Sequence, residues 1–472
     1  MRHYDLCVIG SGPAGQKAAI QAAKLGKKVA IIEAKEVVGG AAVNTGTIPS
    51  KALREAILGL AGTRTAMPTG ADFTAAARRA TLANLWACCQ PVIMAEIDMV
   101  NGHMHSNGVD MIGGVAQFRD ERTLDIRGVH SSTAVTADYF VIAVGSRPAR
   151  PSSIPFDDRD IITSDEFIHL TNLPRSVIVV GGGVIGTEYA SMLAALGVKV
   201  TIIEGRNRLL DFVDAEITEA LQYHLRRLGV TLRLGEKVVR ISRAPAPPGA
   251  MAENDMLAEA YLESGKCLRA DCLLFCVGRQ GATEQLNLPA AGLSADDRGR
   301  IQVNDRYQTA VPHIYACGDV IGFPALASTS MEQGRLAALH MFGKPGETVP
   351  ELLPYGIYSI PEISMVGWTE EKLTASGIPY EAGIAQYKEI ARGQLLRDDI
   401  GMLKLLIHQE TRHILGAHAI GTGATELIHI GQCAIAFKAT VDYFVNAVFN
   451  YPTLAECYKV AAFNGLNKLM GI

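Results

Sequence analysis

The sequence has no unbroken apolar stretch of membrane-spanning length and no long run of either charge sign. The first absence argues against a transmembrane segment. The second, with a formal net charge of −4, argues against nucleic acid or an anionic membrane as the main partner. There is no C-x-x-C pair and no zinc-ligand spacing among the nine cysteines, so no metal centre is expected. Their odd number and irregular spacing fit unpaired thiols in a reducing compartment, and a cytoplasmic location is the expectation. The opening "MRHYDLCVIGSG" reads as a strand running into a glycine turn, with no charged-then-apolar leader, so no secretory signal is expected.

What is present is a repeat. The 472 residues are too many for one core, and two to four domains are expected. "YDLCVIGSGPAGQKAAIQAAKLGKKVAIIEAK" (4–35) and "RSVIVVGGGVIGTEYASMLAALGVKVTIIEGR" (175–206) share one plan. Each has an apolar strand, a glycine turn, a helix with small residues, a Gly, and a second apolar strand ending in Glu. Gly10 and Gly181 are 171 residues apart, as are Glu33 and Glu204. In Gly10-x-Gly12-x-x-Gly15 and Gly181-x-Gly183-x-x-Gly186 the first Gly permits a tight turn and the second lets backbone approach a pyrophosphate. The third lets helix pack on strand, and the helix N-terminus faces the phosphates. Glu33 and Glu204 stand where a carboxylate accepts hydrogen bonds from ribose hydroxyls. Further strands end in Gly145 within "YFVIAVGSRPARP" (139–151), in "LLFCVGRQ" (273–280), and in Gly318-Asp319 within "HIYACGDVIG" (313–322). An Asp beside such a glycine accepts bonds from a ribitol chain, or simply caps a helix.

In this order, "GSGPAG", "GTIPSK", "VGSRP", "GGGVIGTEYAS", "VGRQ" and "YACGDVIGFPALA" resemble the two-dinucleotide-binding flavoprotein reductases, the family of dihydrolipoamide dehydrogenase and glutathione reductase. Within it, "NTGTIPSKALREA", "GDVIGFPALAS", "GIYSIPEIS", "HIGQ" and "FNYPT" are most similar to the branch of soluble pyridine nucleotide transhydrogenases. The resemblance implies an α/β chain with two Rossmann-like domains and a C-terminal α+β dimerisation domain. An FAD domain would span 1–150 and 276–345, an NAD(P) domain 151–275, and the dimerisation domain 346–472. A homodimer is implied, with larger homo-oligomers left open. FAD, non-covalently bound, is assigned to Gly10, Gly12, Pro13, Ala14, Gly15, Glu33, Gly40, Lys51, Gly145, Gly318, Asp319 and Ala327. NAD(H) and NADP(H), as substrates, are assigned to Gly181, Gly183, Val184, Ile185, Gly186, Glu204, Arg206 and Gly278. "APAPPGA" (244–250) reads as an exposed loop, and "GMLKLLIHQETRHILGAHAIG" (401–421) as two strands around a turn with a helix after them.

The family's disulfide reductases place a redox-active cysteine pair in the segment that here reads "GGAAVNTGTIPSK" (39–51). The two sulfur positions hold Ala42 and Thr47. The family's acid–base His–Glu pair, donated by the other subunit, is matched by Tyr451 and Glu456. A phenol, with a pKa of about 10, is a poor base at neutral pH. Exchange pair and base are thus missing together, which argues against dithiol substrates. What remains implied is hydride transfer, which needs proximity and a tuned flavin rather than an acid or base. Lys51 is expected near the flavin N5 and paired with Glu188, and Thr47 is expected to pack against the flavin. Glu204 favours NAD(H), since a 2′-phosphate beside it meets like charge, whereas Arg206 and Arg208 attract that phosphate or merely solvate the surface. The branch often keeps one cysteine where this chain has Ala42. That leaves open the cysteine-less NAD(P)H:quinone reductases, and beyond them a non-catalytic flavin-binding redox sensor.

Overall fold

A computed structural model describes residues 2–60, 82–129, 131–170, 172–246, 256–346 and 352–471. Of the loop expected at 244–250, Ala244 and Pro245 close a strand and 247–250 lie outside the described residues. The chain divides into two compact units. One holds Met1–Leu53, Trp86–Ala149 and Gly278–Pro350, and the other Arg54–Leu85, Arg150–Val277 and Glu351–Ile472.

The first unit is built on β1 (Arg2–Ile9), whose Leu6, Cys7, Val8 and Ile9 are all buried. Such a run suits a parallel strand covered on both faces. It pairs in parallel with β2 (Val29–Glu33) on one side and with the strand Ser132–Ile142 on the other. The full sheet runs Asp110–Gly113, β2, β1, Ser132–Ile142, Thr123–Arg127, Val115–Asp120, and Ile314–Ala316 also pairs with Ser132–Ile142. Between β1 and β2 lies α1 (Pro13–Lys24). Gly12 is its extended N-cap, and Pro13 at the first helical position presets the backbone. Its buried face is Ala14, Gly15, Ala18, Ala19 and Ala22, small enough for the helix Ala327–Met341 to press close. A Cβ on Gly334 of that helix would overlap the Ala14 carbonyl. Two helices follow β2: α2 (Gly40–Asn44) and α3 (Thr47–Leu60).

In the second unit the same plan recurs as β3 (Ser176–Val180), α4 (Val184–Ala195) and β4 (Lys199–Glu204). The sheet is wholly parallel, in the order Thr231–Leu234, β4, β3, Cys272–Phe275, Ile161–Ile162. Helix α5 (Ala215–Arg227) follows β4, capped by the Asp214 side chain. The same unit contains a five-stranded antiparallel sheet in the order Tyr355–Ile357, Ile363–Gly367, Ile414–Ile420, Met402–His408, Tyr380–Gln386. The two strands expected within 401–421 are the middle of this sheet, and the helix after them is Ala424–Ala436. Lys404, fully buried on one strand, ion-pairs with Asp214 and Glu216 at 2.9 Å each and with Glu370, so one ammonium bridges three clustered carboxylates and offsets one of their charges. Losing the lysine would leave the buried Asp214 carboxylate without its counter-charge, so Lys404 links the start of α5 to the sheet. Among the described residues no helix is long and apolar enough to cross a membrane.

Candidate nucleotide-binding sites

The two glycine turns share their backbone hydrogen bonds. Gly10 N–H donates to the Ile32 carbonyl at 2.8 Å, and Gly181 N–H donates to that of Ile203 at 2.9 Å. Both glycines sit at positive φ, +102° and +108°, in the left-handed region that favours glycine. A Cβ on Gly15 would overlap the Gly10 carbonyl oxygen, and one on Gly186 would overlap that of Gly181. The acids close each turn in the same way. Glu33 accepts from Ser11 N–H at 3.0 Å and Lys35 N–H at 2.9 Å, while Glu204 accepts from Gly182 N–H at 2.7 Å and Arg206 N–H at 2.9 Å. Each of these pairs keeps the offset of 171.

The middle glycines face open space. Among the described residues, a Cβ on Gly183 would meet nothing within 4 Å, and one on Gly12 would have only the Gly40 Cα, at 4.0 Å. Neither Gly12 nor Gly183 brings a capping side chain to its helix, so the first-turn N–H groups of α1 and α4 have no side-chain acceptor there. Such a helix start can accept a phosphate. In the first unit Gly40, at φ +60°, approaches Gly12 so closely that its Cβ would come within 2.8 Å of the Gly12 Cα. Two bare backbones therefore lie side by side, an arrangement that suits a pyrophosphate. Asp319 accepts from Ser146 Oγ at 2.7 Å, and Arg279 Nε donates to that same hydroxyl at 2.8 Å. Gly318 N–H donates to Gln333 at 2.9 Å. Gly145, at φ +69°, has nothing among the described residues within 4 Å of a Cβ, and Ala327 begins its helix. The residues assigned to FAD thus share one unit, and their chemistry fits a dinucleotide.

The remaining expected residues are more dispersed. Ala42 lies half-buried on α2, and Thr47 opens α3, exposed. Lys51 lies one turn later and donates to Ser50 Oγ at 3.3 Å. Glu188 belongs to the other unit, is buried on α4, and accepts from Tyr358 N–H at 2.8 Å. Gly278 falls in the first unit, where its carbonyl accepts from Ala149 N–H at 3.1 Å. Tyr451 is exposed, and Glu456 begins the helix Glu456–Leu469, accepting from Thr453 N–H at 3.3 Å. Val184 and Ile185 form the first turn of α4. Burial pushes the Cys7, Cys276 and Cys317 thiols up to about 12, so none of these three offers a thiolate.

The turns also differ. Ser11 Oγ donates to Glu33 at 2.6 Å and accepts from Gly39 N–H at 3.0 Å. In the second turn that bond is replaced by the Arg206 side chain, which donates to both Glu204 oxygens, at 2.9 and 3.0 Å, and also pairs with Asp211. Burial opposes ionisation of Glu204, yet the Arg206 guanidinium and the two amide N–H groups outweigh it and hold its carboxyl below the usual range. Arg208 pairs with Glu371 at 2.9 Å. Sequence reasoning did not identify Ser11, Ser146, Arg279, Gln333 or Asp211. Ser11 had a signal, since it aligns with Gly182 in the repeat; Asp211 had none.

Comparison with known proteins agrees with this geometry. The model of a family described as pyridine nucleotide-disulphide oxidoreductase matches residues 4–334, and that of the family's dimerisation domain matches 353–462. A protein named soluble pyridine nucleotide transhydrogenase from Mycobacterium bovis is 52% identical, over 100% of this chain and 99% of that relative. One so named from Vibrio vulnificus is 44% identical, over 99% of each. Among solved structures, the Cu(II) complex of the HOCl-induced flavoprotein disulfide reductase RclA from Escherichia coli superposes with a TM-score of 0.84 at 26% identity, over 98% of this chain and 100% of that one. LpdA from Mycobacterium tuberculosis shares the fold, with a TM-score of 0.85 at 24% identity over 98% and 99% of the two chains.

Proposed function

The chain belongs to the pyridine nucleotide-disulphide oxidoreductase family, and on that premise we propose that it is a cytoplasmic, homodimeric, FAD-dependent pyridine nucleotide transhydrogenase that passes hydride reversibly between NADPH and NAD⁺ without a redox-active disulfide. The observation that carries this reading is the pair of glycine turns. Two glycine turns share their backbone bonds in one chain, while α2 carries Ala42 and α3 begins at Thr47, where a dithiol relay would need sulfur. Bound FAD supplies a carrier that takes a hydride from one nicotinamide and gives it to another.

The chain's residues divide the work. In the domain of 1–150 and 276–345, Gly10, Gly12, Pro13, Ala14, Gly15 and Gly40 leave backbone free to meet the FAD phosphates. Glu33 and Asp319 accept from its sugar and ribitol hydroxyls. In the domain of 151–275, Gly181, Gly183, Val184, Ile185 and Gly186 do the same for the substrate nucleotide, and Glu204 and Arg206 meet its adenosine ribose. Lys51 and Glu188 tune the flavin environment by their charges, and Thr47 packs at the flavin. Gly145, Ala327 and Gly278 shape the walls. With Tyr451 in place of a basic His, no proton relay is needed, because a hydride moves without one. Residues 346–472 form the dimer.

The test is the initial rate of transfer from NADPH to thio-NAD⁺ by the purified yellow protein, with both substrates varied in the absence of oxygen. Fast transfer with parallel double-reciprocal lines is the expected result. Bleaching of the flavin by NADPH with no transfer would move the assignment to a quinone reductase. A thiolate-to-flavin charge-transfer band on reduction would sink the disulfide-free part alone.

A further inference from the structure

The carboxylate of Glu204 is saturated by the protein itself. An ionised carboxylate offers about four acceptor positions. Oε1 accepts from the backbone N–H of Arg206 and from its Nε, both at 2.9 Å, and Oε2 from Gly182 N–H at 2.7 Å and Arg206 Nη2 at 3.0 Å. Glu33, its counterpart, accepts three such bonds, none of them from a guanidinium. A ribose hydroxyl therefore finds no free acceptor on Glu204 until the Arg206 side chain moves off it. Where Arg206 goes depends on what else it holds, and that is Asp211, bonded to its Nη1.

The Asp211 side of this clamp is fixed to the turn. Leu210 N–H donates to the Gly182 carbonyl at 3.0 Å, and Arg208 Nη2 donates to the Asp211 carbonyl at 2.7 Å. A Cβ on Gly182 would come within 3.1 Å of Glu204 Cβ, so turn, acid and Asp211 loop are neighbours. Arg206 and Asp211 are both about half exposed, at 47% and 46%, while Glu204 is 8% exposed. The guanidinium thus bridges a buried acid and a solvent-facing one.

We propose that Asp211 is a specificity-determining residue that acts through Arg206, as the resting place of its guanidinium when a nucleotide binds. The inference rests on assigning the second turn to the substrate nucleotide. With NAD(H), Arg206 keeps Asp211 and gives up Glu204, whose oxygens then accept the two ribose hydroxyls. With NADP(H), the 2′-phosphate takes the guanidinium from both acids, and the Asp211 bond is lost. Asp211 therefore weighs against the phosphorylated nucleotide and leaves the other nearly unaffected. That is how one site serves two nucleotides in turn without holding NADP(H) too tightly.

Isothermal titration of the FAD-loaded, full-length protein with 5′-AMP and with adenosine 2′,5′-bisphosphate tests this without any turnover. The set of proteins is wild type, D211N, D211A, R206M and D211N/R206M. An exposed charge pair of this kind corresponds to a change of at most about fivefold in affinity. The expected result is a gain for the bisphosphate of about threefold to fivefold in D211N and D211A, no gain for 5′-AMP, and no gain for either ligand on adding D211N to R206M. A gain that persists in the R206M background would mean Asp211 acts as a bare charge, and would overturn the proposal. So would an equal gain for 5′-AMP, or no gain at all. If wild type binds neither ligand, the nucleotide assignment of the second turn falls, and this proposal with it.

Discussion

At Gly15 and Gly186 a single hydrogen in place of a methyl lets helix lie against turn. In both, a Cβ would fall on the carbonyl oxygen of the turn's first glycine, a backbone atom that cannot swing away. The helix must shift, and with it the N–H groups proposed to face the phosphates. Because the two turns are separate, so are the consequences. Gly15→Ala is expected to purify depleted of flavin, read as a several-fold fall in the absorbance near 450 nm relative to protein. Gly186→Ala is expected to stay yellow and bind NADPH at least about tenfold more weakly, since a shift costing more than ~1.4 kcal/mol is a factor of ten. A Gly186→Ala protein that lost flavin and kept its nucleotide affinity would reverse the assignment of the turns.

Helix α5 carries a titrating group that no chemistry uses. His224 is buried, and neither ring nitrogen has a hydrogen-bond partner among the described residues. Burial, helped by the nearby Arg227, lowers its pKa from 6.5 to about 4, against the smaller opposing pull of Asp398 and Asp399. The unfolded chain therefore binds this proton first on acidification. The neutral histidine's contribution is present above pH 6.5 and is lost as pH falls toward 4, by an amount on the order of 3 kcal/mol. His224→Leu is expected to flatten that part of the stability curve, measured as the melting temperature of wild type and variant between pH 7 and 4.5. Parallel curves would show that other groups carry the acid sensitivity. Nothing in "LQYHLRR" signals this, because the cause is what packs over the helix. The elements near the turns are more legible. Strand, glycine turn, small-residue helix and terminal acid follow from local steric rules, and the constant offset exposed them twice. Ser11 was within reach of the same comparison. Lys404 was not: "GMLKLLIH" reads as a strand with one solvent-facing lysine, and its carboxylates come from Asp214, Glu216 and Glu370, remote in sequence. Asp211 was hidden for the same reason, since its meaning depends on a loop folding back onto Gly182.

For the whole molecule the remaining question is what covers the apolar surface at the end of the chain. Phe437, Tyr443, Val448 and Tyr451 are all more than half exposed, within the residues that match the family's dimerisation domain. Single exposed apolar residues need no explanation, but several within fifteen positions of a segment that matches a dimerisation domain are where a second copy would be expected to dock. Val448, at 95% exposed, contributes almost nothing to the packing of its own protomer. A carboxylate at that position should leave the fold alone and meet its cost only where a second copy buries it. Val448→Glu is therefore expected to shift the protein from dimer toward monomer in light scattering at micromolar concentration, with circular dichroism and flavin content unchanged. A dimer of unaltered mass would place the contact elsewhere on residues 353–462. A monomer that had also lost its helical signal would mean that Val448 supports the protomer, against its exposure.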